Sequence, residues 1–259
     1  MISDLTPNEK PLAPLEYPRV STGLSGLDVM LKGGLPKGRI VLIRGTPGMG
    51  KTILCAQYLF DGARKNEKGL FITLEETKEQ ITREMYLLGM DFRDLGDDGK
   101  VVFLDASPIR HVPAEVKLGN ISVGKRDFSL VALAKKIKTI AAENEVQRIV
   151  IDPMTALSIQ YPDDNERRIM VLDLIEALAQ TGATCIMTED MGVAGSKRVE
   201  EYSVHGVIHM RPTKTGAQVV KTIEIVKMRE TNHDDQARLY RITEKGIIVY
   251  PDQNVLALL

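Results

Sequence analysis

The sequence predicts an α/β fold: a mostly parallel, doubly wound sheet with helices on both faces and a C-terminal antiparallel β extension. Three observations carry that prediction. A glycine-rich run stands between an apolar strand and an amphipathic helix; strands and helices then alternate as far as residue 189; beyond residue 204 only strand patterns remain.

The glycine run comes first. "RIVLIR" places Ile40, Val41, Leu42 and Ile43 together as a buried strand would. "GTPGMGKTI" follows, in which Gly45, Gly50, Lys51 and Thr52 satisfy G-x-x-x-x-G-K-[ST]. "KTILCAQYLFDGA" continues with Leu54, Tyr58 and Leu59 at helical spacing and Gly62 as an expected stop. Strand, glycine loop and helix together form an anion cradle: glycines let backbone N–H groups turn inward, and the helix start adds its positive dipole end. The expected nucleotide-binding set is therefore Gly45, Thr46, Pro47, Gly48, Met49, Gly50, Lys51, Thr52 and Ile53. Lys51 would reach the outer phosphates of ATP, and the Thr52 hydroxyl would ligate Mg²⁺.

The alternation continues. "GLFITLEE" (69–76) is a strand, and Thr77 with Gln80 forms a capping box for the helix after it. "KVVFLDA" (100–106) is a strand, whereas 107–125 lacks periodicity and reads as a long surface loop. Residues 127–144 form a helix with Leu130, Leu133, Ile137 and Ile140 on one face. "RIVID" (148–152) is a strand, 166–182 a helix ending in glycine, and "ATCIMTE" (183–189) a further strand. Then come "VHGVIHMRP", "QVVKTIEIVKMRE", "ARLYRIT" and "GIIVY", strands separated by short turns. No internal repeat is visible. The expected organisation is an arm over 1–18, one domain over 19–251 and a short tail over 252–259.

In such a sheet, ligands sit beyond the carboxyl ends of the strands. Asp152, after "RIVI", fits an acid that supports the Mg²⁺ shell. Glu75 or Glu76 would accept a proton from attacking water, with Glu75 favoured because it directly ends the strand; the alternative is a cap or solvated turn before the Thr77 helix. Glu189 is a candidate sensor of the γ-phosphate.

Composition limits the other classes. The 259 residues are 43% hydrophobic and 27% charged with a net charge of -1, which suits a globular protein and not a global electrostatic binder of nucleic acid. "MISDLTPNEK" lacks the apolar centre of a signal peptide, and no run reaches the ~18 apolar residues of a membrane span. The expectation is a cytoplasmic protein without a membrane partner. Cys55 and Cys185, the two cysteines, both read as core residues.

From about Arg19 to Pro251 the chain also resembles a single KaiC-type ATPase domain of the RecA superfamily. The resemblance rests on "STGLSGLDVMLKGGLPKGR", the phosphate loop, "FITLEET", "VVFLDASP", "RIVIDPMTAL", "GATCIMTE", "VEEY" and "VKMRETNHD". It implies a RecA-type core, assembly as a ring, usually a hexamer, and ATP held between neighbouring subunits. By the same resemblance Glu75 and Glu76 are the catalytic carboxylates, Asp152 stands behind the metal, and Lys227 and Arg229 of "KMR" reach the ATP of the adjacent copy. Two apart in a strand, those cations would share a face. Tandem members of the family carry two such domains; this sequence carries one and resembles their non-autokinase half. Glu201 and Tyr202 stand where an autophosphorylated Ser–Thr pair would lie, with Ser203 the one hydroxyl beside them.

Two other classes share these residues. In a DNA-dependent ATPase of recombination or repair, Lys197 and Arg198 of "GVAGSKRVEEYS" would touch a phosphate backbone, although Glu200 and Glu201 follow at once. A nucleotide-gated scaffold, in which a protein partner reads the ATP state, needs the same pocket with little turnover.

Overall fold

The computed structural model describes residues 17–254, apart from 98, 107–115, 119–120, 124, 159–160, 162, 193–198 and 217. A short ribbon of β1 (Arg19–Val20) and β2 (Leu35–Pro36) encloses α1 (Ser25–Met30). The nine-stranded sheet contains β3 (Ile40–Gly45), β4 (Gly69–Thr73), β5 (Val101–Asp105), β8 (Arg148–Asp152), β9 (Thr184–Asp190), β10 (Gly206–Thr215), β11 (Gln218–Met228), β12 (Arg238–Thr243) and β13 (Gly246–Asn254). Its order is β13-β12-β11-β10-β3-β9-β8-β4-β5. From β10 to β5 the neighbours are parallel, and from β10 to β13 they are antiparallel. The expected fold class is the observed one.

The inner parallel strands β3, β4, β8 and β9 are buried on both faces, which explains their near-continuous apolar sequences. On one face Val41, Ile43, Phe71 and Val150 pack against Leu54, Cys55 and Tyr58 of α2 (Lys51–Arg64), Ile81 and Met85 of α3 (Lys78–Leu87) and Phe92 of α4 (Phe92–Asp97). On the other, Leu42, Ile72, Ile149 and Cys185 pack against Leu133 and Ile137 of α5 (Lys125–Glu143), Leu157 of α6 (Thr155–Ser158), and Met170 and Leu174 of α7 (Asp164–Ala179). The helical face expected at Leu130, Leu133 and Ile137 is buried, with Ile140 packed at its edge.

Several boundaries differ from expectation for identifiable reasons. Helix α2 continues past Gly62 to Arg64. Gly62 is not a stop but a crossing point: a Cβ there would meet Arg148 Cδ and Nε at 2.5 Å. Arg148, 1% exposed, donates to Tyr58 O at 2.7 Å, pairs with Glu67 at 2.5 Å and lies over the Tyr58 ring. Helix α7 starts two residues earlier than 166 because Asp163 caps it, its carboxylate accepting from Asn165 N at 2.8 Å and Glu166 N at 3.0 Å. The Thr77–Gln80 capping box forms as expected. Strand β4 ends at Thr73, leaving Glu75 and Glu76 on the connection to α3. Within 107–125, an antiparallel pair, β6 (Val116–Leu118) with β7 (Ile121–Val123), replaces part of the expected loop.

Helix α1 docks on β13 through Gly26, where an added Cβ would lie 2.1 Å from the Val249 carbonyl oxygen. Backbone meets backbone there, so neither side can turn away. Gly26→Ala should therefore lower unfolding free energy by about 1–3 kcal/mol, read as a fall in urea midpoint with an unchanged slope. An unchanged midpoint would mean that α1 can shift without cost.

Candidate nucleotide site

The phosphate loop leaves β3 and enters α2. Gly48 and Gly50 adopt φ of 79° and 90°, left-handed values at which L side chains are strained. Two residues of the C-terminal extension hold the loop's carbonyls: Tyr240 Oη donates to Met49 O and Lys221 Nζ to Gly48 O, both at 2.7 Å. With the Met49 carbonyl drawn outward, the N–H of the same peptide, on Gly50, is left for the cavity, whereas the Met49 N–H turns back to Thr46 O at 3.3 Å. Ile242 closes over Gly50, where a Cβ would meet its Cδ1 at 3.0 Å.

Beyond the loop lies a cavity of ≈ 380 Å³, lined by Pro47, Gly48, Gly50, Lys51, Thr52 and Ile53 together with Glu75, Glu76, Asp152, Asp190, Glu84 and Ile242 among others. That volume suits a nucleotide-sized ligand. Lys51, 8% exposed, donates from Nζ to Gly45 O at 2.9 Å and pairs with Asp190 at 2.7 Å. Asp152 receives the Thr52 hydroxyl at 2.7 Å and, on its other oxygen, the Thr188 hydroxyl. Burial pushes the Asp152 carboxyl up, while Thr188, Thr52 and the Lys51 ammonium pull it back. Glu76 turns a buried oxygen, Oε2, into this space without a hydrogen-bond partner. Its carboxyl is raised by burial first, then by Glu84, Asp152 and Glu75. Glu75 is exposed at the rim of the same cavity.

The loop residues, Glu75, Glu76 and Asp152 thus meet in one place, and three expected candidates do not. Glu189 does not line the cavity: it is 2% exposed and pairs with Arg44 at 2.6 Å. Alternation decides this, because Thr188 and Asp190 face α2 and Glu189 must face the other way. Asp190 holds the cavity position, and the two-residue period of "TED" was the signal for it. Lys227 and Arg229 also lie outside the cavity. Lys227, next to last in β11, places its Nζ on Glu201 O at 2.6 Å. Arg229 stands one residue past the strand, exposed, its N–H on His205 O at 3.0 Å. Burial and then the Arg229 charge lower Lys227, so the two cations remain neighbours although the strand stops between them. Lys197 and Arg198 fall outside the described residues. Glu84, Lys221, Tyr240 and Ile242 carried no local sequence signal as site residues.

Behind the loop, on the opposite face of the sheet, lies a second polar cluster. Arg44 is the residue before Gly45, and its guanidinium bridges Glu189 and Glu201, the latter from α8 (Val199–Ser203). Glu201 also receives His209 Nε2 at 3.2 Å, while the Arg211 guanidinium donates to His209 Nδ1. Burial would raise the Glu201 carboxyl, but Arg44 and His209 carry it below its ordinary value. Burial first, then Arg211, lower His209 from 6.5, so the neutral ring donates to Glu201 and accepts from Arg211.

A phosphate loop on a sheet of this order, facing Asp152 and the Glu75–Glu76 pair, is the arrangement of a P-loop ATPase with a RecA-type core. The chain belongs to the KaiC ATPase family, whose model matches residues 20–254. It is 34% identical over 238 residues to the circadian clock oscillator protein KaiC of Synechococcus elongatus, covering 90% of this chain but 44% of that protein. The chain thus spans less than half the length of the clock relatives it matches. A UPF0273 protein of Aeropyrum pernix is 32% identical over 92% of this chain and 95% of its own length. The crystal structure of a KaiC-like protein from Pyrococcus horikoshii superposes with a TM-score of 0.77 at 29% identity, covering 91% of this chain and all of that one. No helix among the described residues is long and apolar enough to cross a membrane.

The depressed His209 has a measurable sign. The unfolded chain, near 6.5, takes up the proton first as pH falls, so stability present above about 6.5 is lost toward the lower folded value. His209→Gln keeps a donor for Glu201 and an acceptor for Arg211 without titrating. Between pH 7.5 and 5.5 the melting temperature should fall less in this variant than in wild type. Parallel curves would mean that His209 titrates normally.

Proposed function

We propose that the chain hydrolyses ATP with Mg²⁺ at interfaces between its own copies, arranged as a ring, most simply a hexamer, and that this turnover serves regulation. The observation that carries the hydrolytic half is the unsatisfied Glu76 Oε2, buried in the cavity that also holds the phosphate loop. A carboxylate oxygen kept from both water and protein donors is placed to receive one from a ligand or its attacking water.

Magnesium fits the donor set, which offers one carboxylate, Asp152, and one hydroxyl, Thr52, rather than an all-protein cage. When bound, the ion supplies charge neutralisation on the phosphates. Lys51 exchanges its Asp190 contact for phosphate oxygens, and the loop N–H groups hold the others. Glu76 takes a proton from water as the water oxygen attacks the γ-phosphorus and the bond to the β-phosphate oxygen breaks. Glu75, exposed at the rim, shapes the approach of that water. This reverses the sequence preference for Glu75: the strand ends at Thr73, so Glu75 does not end it and neither acid is favoured on that ground.

The interface half is supported by where Lys227 and Arg229 are not. Both lie outside their own chain's cavity, so a role in phosphoryl transfer requires another copy's nucleotide. The regulatory half rests on kinship with the clock oscillator protein.

Two experiments follow. Glu76→Gln should retain ATP binding while hydrolysis drops about a hundredfold or more, with a much smaller loss for Glu75→Gln; equal losses would assign the base to the pair. Separately, Lys51→Ala and Arg229→Ala chains should each be nearly inactive alone. When mixed with subunit exchange verified, interfaces that join an intact loop to an intact Arg229 should recover part of the activity. Loss of such a cation costs roughly a thousandfold, so even slight recovery stands above background. A flat rate at every mixing ratio would sink the shared site.

A further inference from the structure

The cluster behind the phosphate loop has no part in the hydrolytic scheme, yet it touches both of that scheme's moving parts. Glu201 is the meeting point. Its side chain, 14% exposed, reaches Arg44 at the end of β3 and His209 on β10. Its main-chain oxygen receives Lys227 Nζ at 2.6 Å. One residue therefore binds the strand that becomes the chain's own phosphate loop and the cation assigned to the neighbour's nucleotide. We propose that Glu201 is a positioning residue that sets Lys227 in register with the chain's own phosphate-loop strand, so that the state of one nucleotide site reaches the next.

The argument is one of anchoring. Helix α8 has five residues, too few to hold its place by intrahelical hydrogen bonds alone. Its position comes from packing against α7 and from the Glu201 carboxylate on Arg44 and His209. Where that carboxylate sits, the Glu201 carbonyl follows, since both belong to one residue. Lys227 is in turn directed by that carbonyl and by the nearby Arg229 charge. At the other end, Arg44 is anchored by Glu189 in the adjacent strand and precedes Gly45 directly. A shift of the loop on binding phosphate would thus pass along Arg44 and Glu201 to Lys227 without crossing the sheet's apolar core. The bland alternative is that Glu201 serves only to neutralise a buried guanidinium.

The inference rests on the reading of Lys227 as a cation for the neighbouring copy, and two measurements on the full chain keep the failures apart. The first is Lys227 reactivity toward an acetylating reagent, followed by peptide mass mapping. Glu201→Gln removes the charge but keeps the carbonyl, so any change at Lys227 must travel through the placement of α8. Labelling of Lys227 should rise several-fold while other lysines keep their rates; an unchanged Lys227 rate overturns the inference whatever the ring does. The second is steady-state ATP hydrolysis. Glu201→Gln should lower kcat by about tenfold with KM little moved, the scale on which supporting residues act. Lys227→Met should lower it further. If Lys227→Met hydrolyses at the wild-type rate, the neighbour reading itself falls. If it is impaired while Glu201→Gln is not, only the positioning role falls. Should Glu201→Gln fail to melt as a folded protein, Arg44→Lys weakens the same link from its other end and is judged by the same labelling result.

Discussion

Parallel strands deliver all their carboxyl ends to one edge of the sheet, and strand geometry then sorts the last residues alternately to two faces. Nearly everything chemical in this protein follows from that pair of constraints. Thr188, Asp190 and Asp152 fall on the α2 face with Lys51 and Thr52. Arg44, Glu189 and His209 fall on the opposite face and are joined there by Glu201. A single sheet edge thereby carries two polar sites back to back, separated by the thickness of one backbone. The face with helix α2 offers a cavity; the face with α8 is closed by its own ion pairs.

The C-terminal extension is more than added sheet. Its first strand lies beside β3, so its later strands arrive next to the phosphate loop. There Lys221 and Tyr240 engage carbonyls, and Ile242 covers the glycine that opens α2. A glycine loop has little conformational preference of its own. Its shape is instead imposed from outside by three side chains distant in sequence. Arg148 plays a similar part at the far end of α2, filling the notch left by Gly62.

Local patterns explain what could be read from the chain. The phosphate loop, the parallel strands, the Thr77 cap and the antiparallel tail are all encoded within windows of a few residues, and each appears in the structure. A glycine late in a helix signals a stop only when nothing packs into it, and Arg148, which fills the notch at Gly62, lies 86 residues away. Glu189 alternates with Thr188 and Asp190, so its place on the face away from the cavity is legible in the sequence. Lys221, Tyr240 and Ile242 were invisible for a different reason: their role exists only once the sheet has brought them beside the loop. Arg44 and Glu201 belong with them, since a charge at a strand end reads as solvated until a partner covers it.

The clamp on the phosphate loop has a consequence in time. Tyr240 lies 191 residues after the Met49 carbonyl it holds. At ribosomal speeds of ~5–20 residues per second, that separation corresponds to roughly ten to forty seconds during which the loop exists without its restraint. The loop is therefore made long before the side chains that fix its shape. A chain interrupted before its last strands carries the whole glycine motif but not Tyr240 and Ile242, which hold and cover it.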